Sequence, residues 1–273
     1  MGGGVNRWAL SARRVSDSPQ LAAVGRFGLA VRGLIYLVIG WIAFQIALGD
    51  GSQQANQRGA LAEVAHHSYG TVALWVLGSG FAAYALWRLS EAAFGTAAEG
   101  RKAGPRLQSL VRAIVYAAFA VTTFGFIAGT STQSQNQQQV TATAKLMKHG
   151  LGRWMVGLVG LIIVVVGVAM VIEGLRRKFE KQLRMDELNG RTRLVVVRLG
   201  MLGTTARGIV FAVAGALVIE AAIIYDPAKS TGLDGALRTL ADRAYGSWLL
   251  GALAVGLIAF GLYGLATARY AKT

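Results

Sequence analysis

One unit, written three times along the chain, constrains this protein more than any other feature. The segments Ala30-Val31-Arg32-Gly33-Leu34-Ile35-Tyr36, Leu110-Val111-Arg112-Ala113-Ile114-Val115-Tyr116 and Thr205-Ala206-Arg207-Gly208-Ile209-Val210-Phe211 share an arginine, a small residue, two aliphatics and an aromatic ring. A glycine follows each arginine at nearly constant distance: Gly70 after Arg32, Gly152 after Arg112 and Gly246 after Arg207. The approach to that glycine also recurs, with Gly59-Ala60-Leu61 and Tyr69-Gly70 matching Gly235-Ala236-Leu237 and Tyr245-Gly246. Self-similarity at a fixed period sets a fold before any local propensity does.

Each copy carries two apolar runs. Leu34 to Leu48, Thr71 to Leu86, Ala113 to Ala128, Met155 to Ile172, Gly208 to Ile224 and Trp248 to Ala266 hold almost no charge. With their flanking turns they approach the ~17 to 25 residues of a membrane-spanning helix. Hydrophobic residues make up 54 % of the chain and charged residues 15 %, against roughly 25 % charged in soluble domains. Backbone in lipid must satisfy its own hydrogen bonds, so these runs are expected to be helices. A period of two is absent, which argues against a barrel. The predicted fold class is all-α: a polytopic membrane protein of six transmembrane helices, arranged as three tandem hairpins with pseudo-threefold symmetry and both termini cytoplasmic. The expected organisation is a cytoplasmic N-terminal segment (1–23), repeat one (24–92), repeat two (107–174), a basic cytoplasmic loop (175–196) and repeat three (197–268).

The formal net charge of +15 is unevenly spread. The N-terminus through Arg32, the 88–112 loop, the 174–207 loop and the C-terminal tail hold 21 of the 28 Lys and Arg residues; the three intervening loops hold 7. The positive-inside rule then puts both termini and the basic loops in the cytoplasm, in a bacterial plasma membrane, with affinity for anionic headgroups. No nucleic-acid reading module is visible, so nucleic acid is not expected as a partner. The chain has no cysteine, which excludes disulfides and thiolate chemistry. The first 28 residues read as an uncleaved signal-anchor. Ser131 to Gln139 is expected to be a mobile loop, and the charged 175–193 stretch an extension of the fourth spanning helix.

Arg32, Arg112 and Arg207 form the sharpest constellation, an expected ring at the inner leaflet. Three arrangements fit them: snorkelling to phosphate, ion pairs with Glu91 and Glu173 at the ends of the returning helices, or a gate. Repeat three has Thr267 at the equivalent place, so a paired ring would be incomplete. Glu220 is the one acid inside an apolar run, and its counterparts are Gln45 and Gly125. Intramembrane acids usually face a bundle interior; a proton or cation site with Gln45 opposite and a neutral or outward-snorkelling carboxyl both fit. His67, His149 and Arg243 each stand one helical turn before a landmark glycine, an outer basic position suited to an anionic group. Neither a metal site nor a cofactor is expected.

The Arg-Gly/Ala-aliphatic-aliphatic-aromatic element, the landmark glycines and the six runs together resemble the domain-of-unknown-function family numbered 1206. That resemblance covers about residues 24–270 and implies six-helix bacterial membrane proteins of three tandem repeats, with no activity attached. No catalytic constellation is visible, so an enzyme is not expected. Two functional classes stay open: an accessory or scaffold subunit that binds lipid or a larger membrane complex, and a small transporter or channel with a pathway along the pseudo-threefold axis.

Overall fold

The computed structural model describes residues 19–49, 54–95, 103–129, 134–184, 188–242 and 244–270. The described residues form nine α-helices and two short 3-10 turns. They are α1 (Pro19–Ala47), α2 (Gln57–Ala65), α3 (Gly70–Phe94), α4 (Ala103–Ile127), α5 (Gln135–Met147), α6 (Gly152–Leu175), α7 (Gly190–Ile224), α8 (Gly232–Ala241) and α9 (Gly246–Tyr270). Six of them (α1, α3, α4, α6, α7 and α9) are long and apolar enough to cross a membrane. Each repeat is thus a long helix, a short helix and a second long helix. The short helices α2, α5 and α8 mark what is called below the loop end.

The termini of these helices follow from local chemistry. Pro19 opens α1 and Pro105 sits in the first turn of α4, where a missing N–H costs nothing; Pro227 opens a 3-10 turn. No proline interrupts a span. The Asn56 side chain accepts the Arg58 and Gly59 N–H groups and caps α2. Ser134 accepts the Gln137 N–H at 3.1 Å and caps α5. The Gln-rich segment is therefore helical from Gln135 onward, a correction to the mobile loop expected there; its cap and the good helix propensity of glutamine outweigh its low complexity. The 175–193 stretch also departs from expectation. α6 stops at Leu175, Arg177 takes a positive φ of 52°, and a 3-10 turn at Lys178–Gln182 follows. Phe179 and Leu183 then bury themselves against Val196, Phe260 and Tyr263, and the Arg184 N–H bonds the Tyr270 carbonyl. Two apolar side chains in a charged stretch find more to bury on the bundle than along an extended helix.

The landmark glycines have a common cause. A Cβ on Gly70 would lie 2.5 Å from the Val64 carbonyl oxygen, and on Gly152 and Gly246 it would overlap the Leu146 and Ala241 carbonyl oxygens. In each repeat the returning long helix starts pressed against the C-terminus of the short helix, and only hydrogen fits between them.

The closest helix pairs join one repeat to the next: α3 with α4, α6 with α7, and α9 with α1. The pairs within repeats are looser, and α4 and α6 of repeat two scarcely touch. Glycine explains the tight pairs. A Cβ on Gly33 would sit 2.8 Å from the Gly261 carbonyl oxygen, and one on Gly208 2.7 Å from that of Gly167. Two helical turns on, a Cβ on Gly40 or Gly215 would meet the backbone nitrogen of Ile258 or Val164 at 2.8 and 2.7 Å. In repeat two the same positions are Ala113 and Ala120, both buried. Positions two turns apart share a helix face, and small residues there let membrane helices approach closely. Gly208→Leu is expected to separate α6 from α7 at a cost of about 3 kcal/mol. Gly157→Ala, whose Cβ would meet only Ala222 Cβ at 3.7 Å, is expected to be silent. Thermal unfolding midpoints in detergent check both.

The loop end is tied by one acid. Asp234 at the start of α8 is 1 % exposed. Its carboxylate accepts the Ala55 N–H at 2.8 Å, the Asn136 side-chain amide at 2.8 Å and the Arg238 Nε at 3.1 Å. Ala55 belongs to repeat one and Asn136 to repeat two, so a single side chain of repeat three holds all three.

Candidate functional site

The stretches from Arg32 to Ala47, Arg112 to Ile127 and Arg207 to Ile224 run from each repeat arginine to the loop-end terminus of its helix. At the ~1.5 Å rise per residue of an α-helix, all three arginines lie about 22 to 26 Å from the loop end. All three are half-buried. Arg32 and Arg207 lie over aromatic rings. Both lie over Phe260, with their guanidinium carbons 5.5 and 4.9 Å from the ring centre. Arg32 also faces Tyr84 at 5.9 Å, and Arg207 faces Tyr36 and Phe211 at 5.1 Å each. Cation–π contacts contribute up to about 2 kcal/mol when desolvated, which offsets part of the cost of burying the charge.

A fourth arginine, not singled out by sequence reasoning, completes the group. Arg88 lies over Tyr84 and Trp87 at 5.0 and 4.4 Å, and its Nε donates to the Tyr84 hydroxyl at 2.9 Å. Arg112 is within electrostatic reach of Arg32, Arg88 and Arg207. Glu91 pairs with Arg88, one helical turn away, and accepts the Ser109 hydroxyl. The expected pairing of Glu91 with the repeat arginines is thereby corrected, because the nearer guanidinium on its own helix occupies the carboxylate. Glu173 makes no ion pair among the described residues. Arg32, Arg112 and Arg207 make no ion pair among the described residues, and the Nε atoms of Arg32 and Arg207 are buried without a hydrogen-bond partner.

The rings that receive the arginines also obey the repeat. Tyr84 follows Gly70 at the same offset as Phe260 follows Gly246; Val166 occupies that place after Gly152 in repeat two and is exposed. Arg112 accordingly has no ring of its own at that register, and repeat two is the open side of the bundle. That register was readable in the sequence.

The remaining candidates are scattered. Glu220 and Lys229 approach to 3.6 Å near the loop end, each side chain 47 % exposed. No hydrogen bond joins Glu220 to half-buried Gln45 among the described residues, and Glu220 stands within reach of an exposed lysine at its own end of the span. His67 and His149 are exposed. Their carbonyls accept the N–H groups of Gly70 and Gly152, both at 2.8 Å, which serves the turn into the landmark helix. Arg243 lies outside the described residues, as does the segment 1–18.

An all-helical chain with six apolar helices of spanning length, built from three copies of one unit, defines a multi-pass membrane protein. The family described as Domain of Unknown Function (DUF1206) matches it three times, at residues 27–95, 107–177 and 202–271, and the chain belongs to that family. It is also 28 % identical over 264 residues to an uncharacterized protein, YxxB, of Bacillus subtilis (strain 168), covering 96 % of this chain and 95 % of that one. No solved structure matches.

Proposed function

We propose that this protein is a non-enzymatic subunit of a bacterial plasma membrane that holds anionic lipid, alone or within a larger membrane complex. In this reading the three repeats are hairpins about a pseudo-threefold axis, with both termini and the basic loops in the cytoplasm and the arginine cluster facing the inner leaflet. The observation that carries it is the charge of that cluster, in which only Arg88 of four guanidiniums has an ion-pair partner and two Nε donors are left over. A planar guanidinium matches a phosphate with two parallel hydrogen bonds, and a half-buried group that lacks an acid gains most from such a partner. A pathway along the axis is less well supported, since Phe260, Tyr84 and Tyr36 stand among the arginines that would line it.

Native mass spectra of the protein released from nanodiscs test the reading. Phosphatidylglycerol is expected to be retained in preference to phosphatidylcholine, and Arg207→Gln to weaken that retention about tenfold, the worth of one charge-assisted contact. Equal retention of both lipids would sink the proposal. A stoichiometric protein partner in the same spectra would place the chain in a complex.

A further inference from the structure

The repeat register makes Arg58 and Asp234 counterparts, since each directly precedes a Gly-Ala-Leu segment. Both are buried, 8 % and 1 % exposed, yet their surroundings are opposite. Asp234 is filled by donors from three directions. Arg58 has Nε and Nη1 closed off from solvent with no hydrogen-bond partner. Burial without an acid beside it holds the guanidinium below its ordinary pKa, although arginine stays protonated. A buried cation with idle donors is costly unless something pairs with it.

Arg58 lines a cavity of about 280 Å³ between α2, α4 and α5, whose other polar walls are Gln57, Thr122, Gln135, Gln138 and Gln139. A second cavity of about 310 Å³ shares Gln139 and Ala142 with the first, and its walls on α6 and α7 are apolar: Val156, Val159, Ile163 and Val218. The two cavities flank the place where α4 and α6 scarcely touch. They adjoin at Gln139 and Ala142 of α5, the first a cationic, amide-rich lobe and the second an aliphatic one. Taken together, their volumes fall within the ~300 to 1,000 Å³ of small-ligand sites.

We infer that the two lobes act as one cleft and take a membrane lipid with a phosphodiester headgroup, which enters sideways between α4 and α6. The phosphate pairs with the Arg58 guanidinium, the glutamine amides satisfy its remaining oxygens, and an acyl chain lies along Val156, Val159 and Ile163. A guanidinium selects phosphate over a neutral headgroup, and the aliphatic lobe selects an amphiphile with an acyl chain over a small polar solute. The site is separate from the arginine–aromatic cluster at the far end of the spans, so either can fail without the other.

A photoactivatable phosphatidylglycerol in phosphatidylcholine nanodiscs, followed by peptide mapping of the full chain, tests the assignment. Crosslinks are expected within 118–122 and 138–142, reduced about tenfold by Arg58→Gln. Ala142→Trp, which fills the junction of the two lobes, is expected to abolish them, and Arg207→Gln to leave them unchanged. Millimolar inorganic phosphate is expected not to compete. Crosslinks that persist in both Arg58→Gln and Ala142→Trp would overturn the site, and competition by inorganic phosphate would overturn the lipid as its occupant. Should Arg58→Gln fail to fold, Ala142→Trp alone decides, because α5 presents that residue on an exposed face.

Discussion

Asp234→Ala is expected to lower stability by about 3 kcal/mol and to loosen the loop end as a unit. The carboxylate is buried, and its removal strands the Ala55 N–H and the Asn136 amide; each buried donor left without a partner costs about 1 to 3 kcal/mol. The Arg238 contact adds little, because that side chain is 38 % exposed and water screens it. The loss falls on three repeats at once, since the residues leading into α2 meet α5 and α8 at this side chain. Faster amide exchange across 54–65 and 135–147, together with a lower unfolding midpoint in detergent, is the expected signature. Exchange confined to 232–241 would show that the acid serves α8 alone. Lys229→Ala, which removes only an exposed partner of Glu220, is expected to leave both measurements unchanged.

Gly152→Ala and Gly246→Ala carry the second large effect. The added methyl would overlap a main-chain oxygen of the preceding short helix, and backbone cannot swing aside as a side chain can. Overpacking against fixed atoms costs about 3 kcal/mol or more, or a fall of about 10 °C in the unfolding midpoint for a chain of this size. Gly150→Ala, with open space around its Cβ position, is the matched control. Equal midpoints for Gly150→Ala and Gly152→Ala would refute the close approach.

Much of this architecture was readable from the chain. The arginine, the small residue after it and the ring at the end of the element mark one face of each first helix, and the landmark glycines mark the start of each second one. Two further registers were equally open to view. The small residue recurs two turns later, as Gly40, Ala120 and Gly215. Four turns into the second helix a ring recurs, Tyr84 or Phe260, with Val166 in its place in repeat two. Arg88 and Asp234 were harder to see, because a lone charge near a helix end is ordinary until its neighbours are known. Glu91 shows the same limit: its depth matched the repeat arginines, but a carboxylate pairs with the nearest cation, and that is Arg88 on its own helix.

By itself the sequence determined the number of spans, their length, the threefold copying and the glycines without which the turns cannot close. These follow from hydropathy and from the size of one side chain, which are local quantities. Only the tertiary structure decided that the tight pairs join neighbouring repeats, that repeat two is left open, and that Arg58 lacks the partners its counterpart Asp234 possesses. Those outcomes depend on which surfaces meet across long stretches of chain. Lipid solvates every apolar face alike, so helix association in a membrane rests on close approach and on polar groups finding one another.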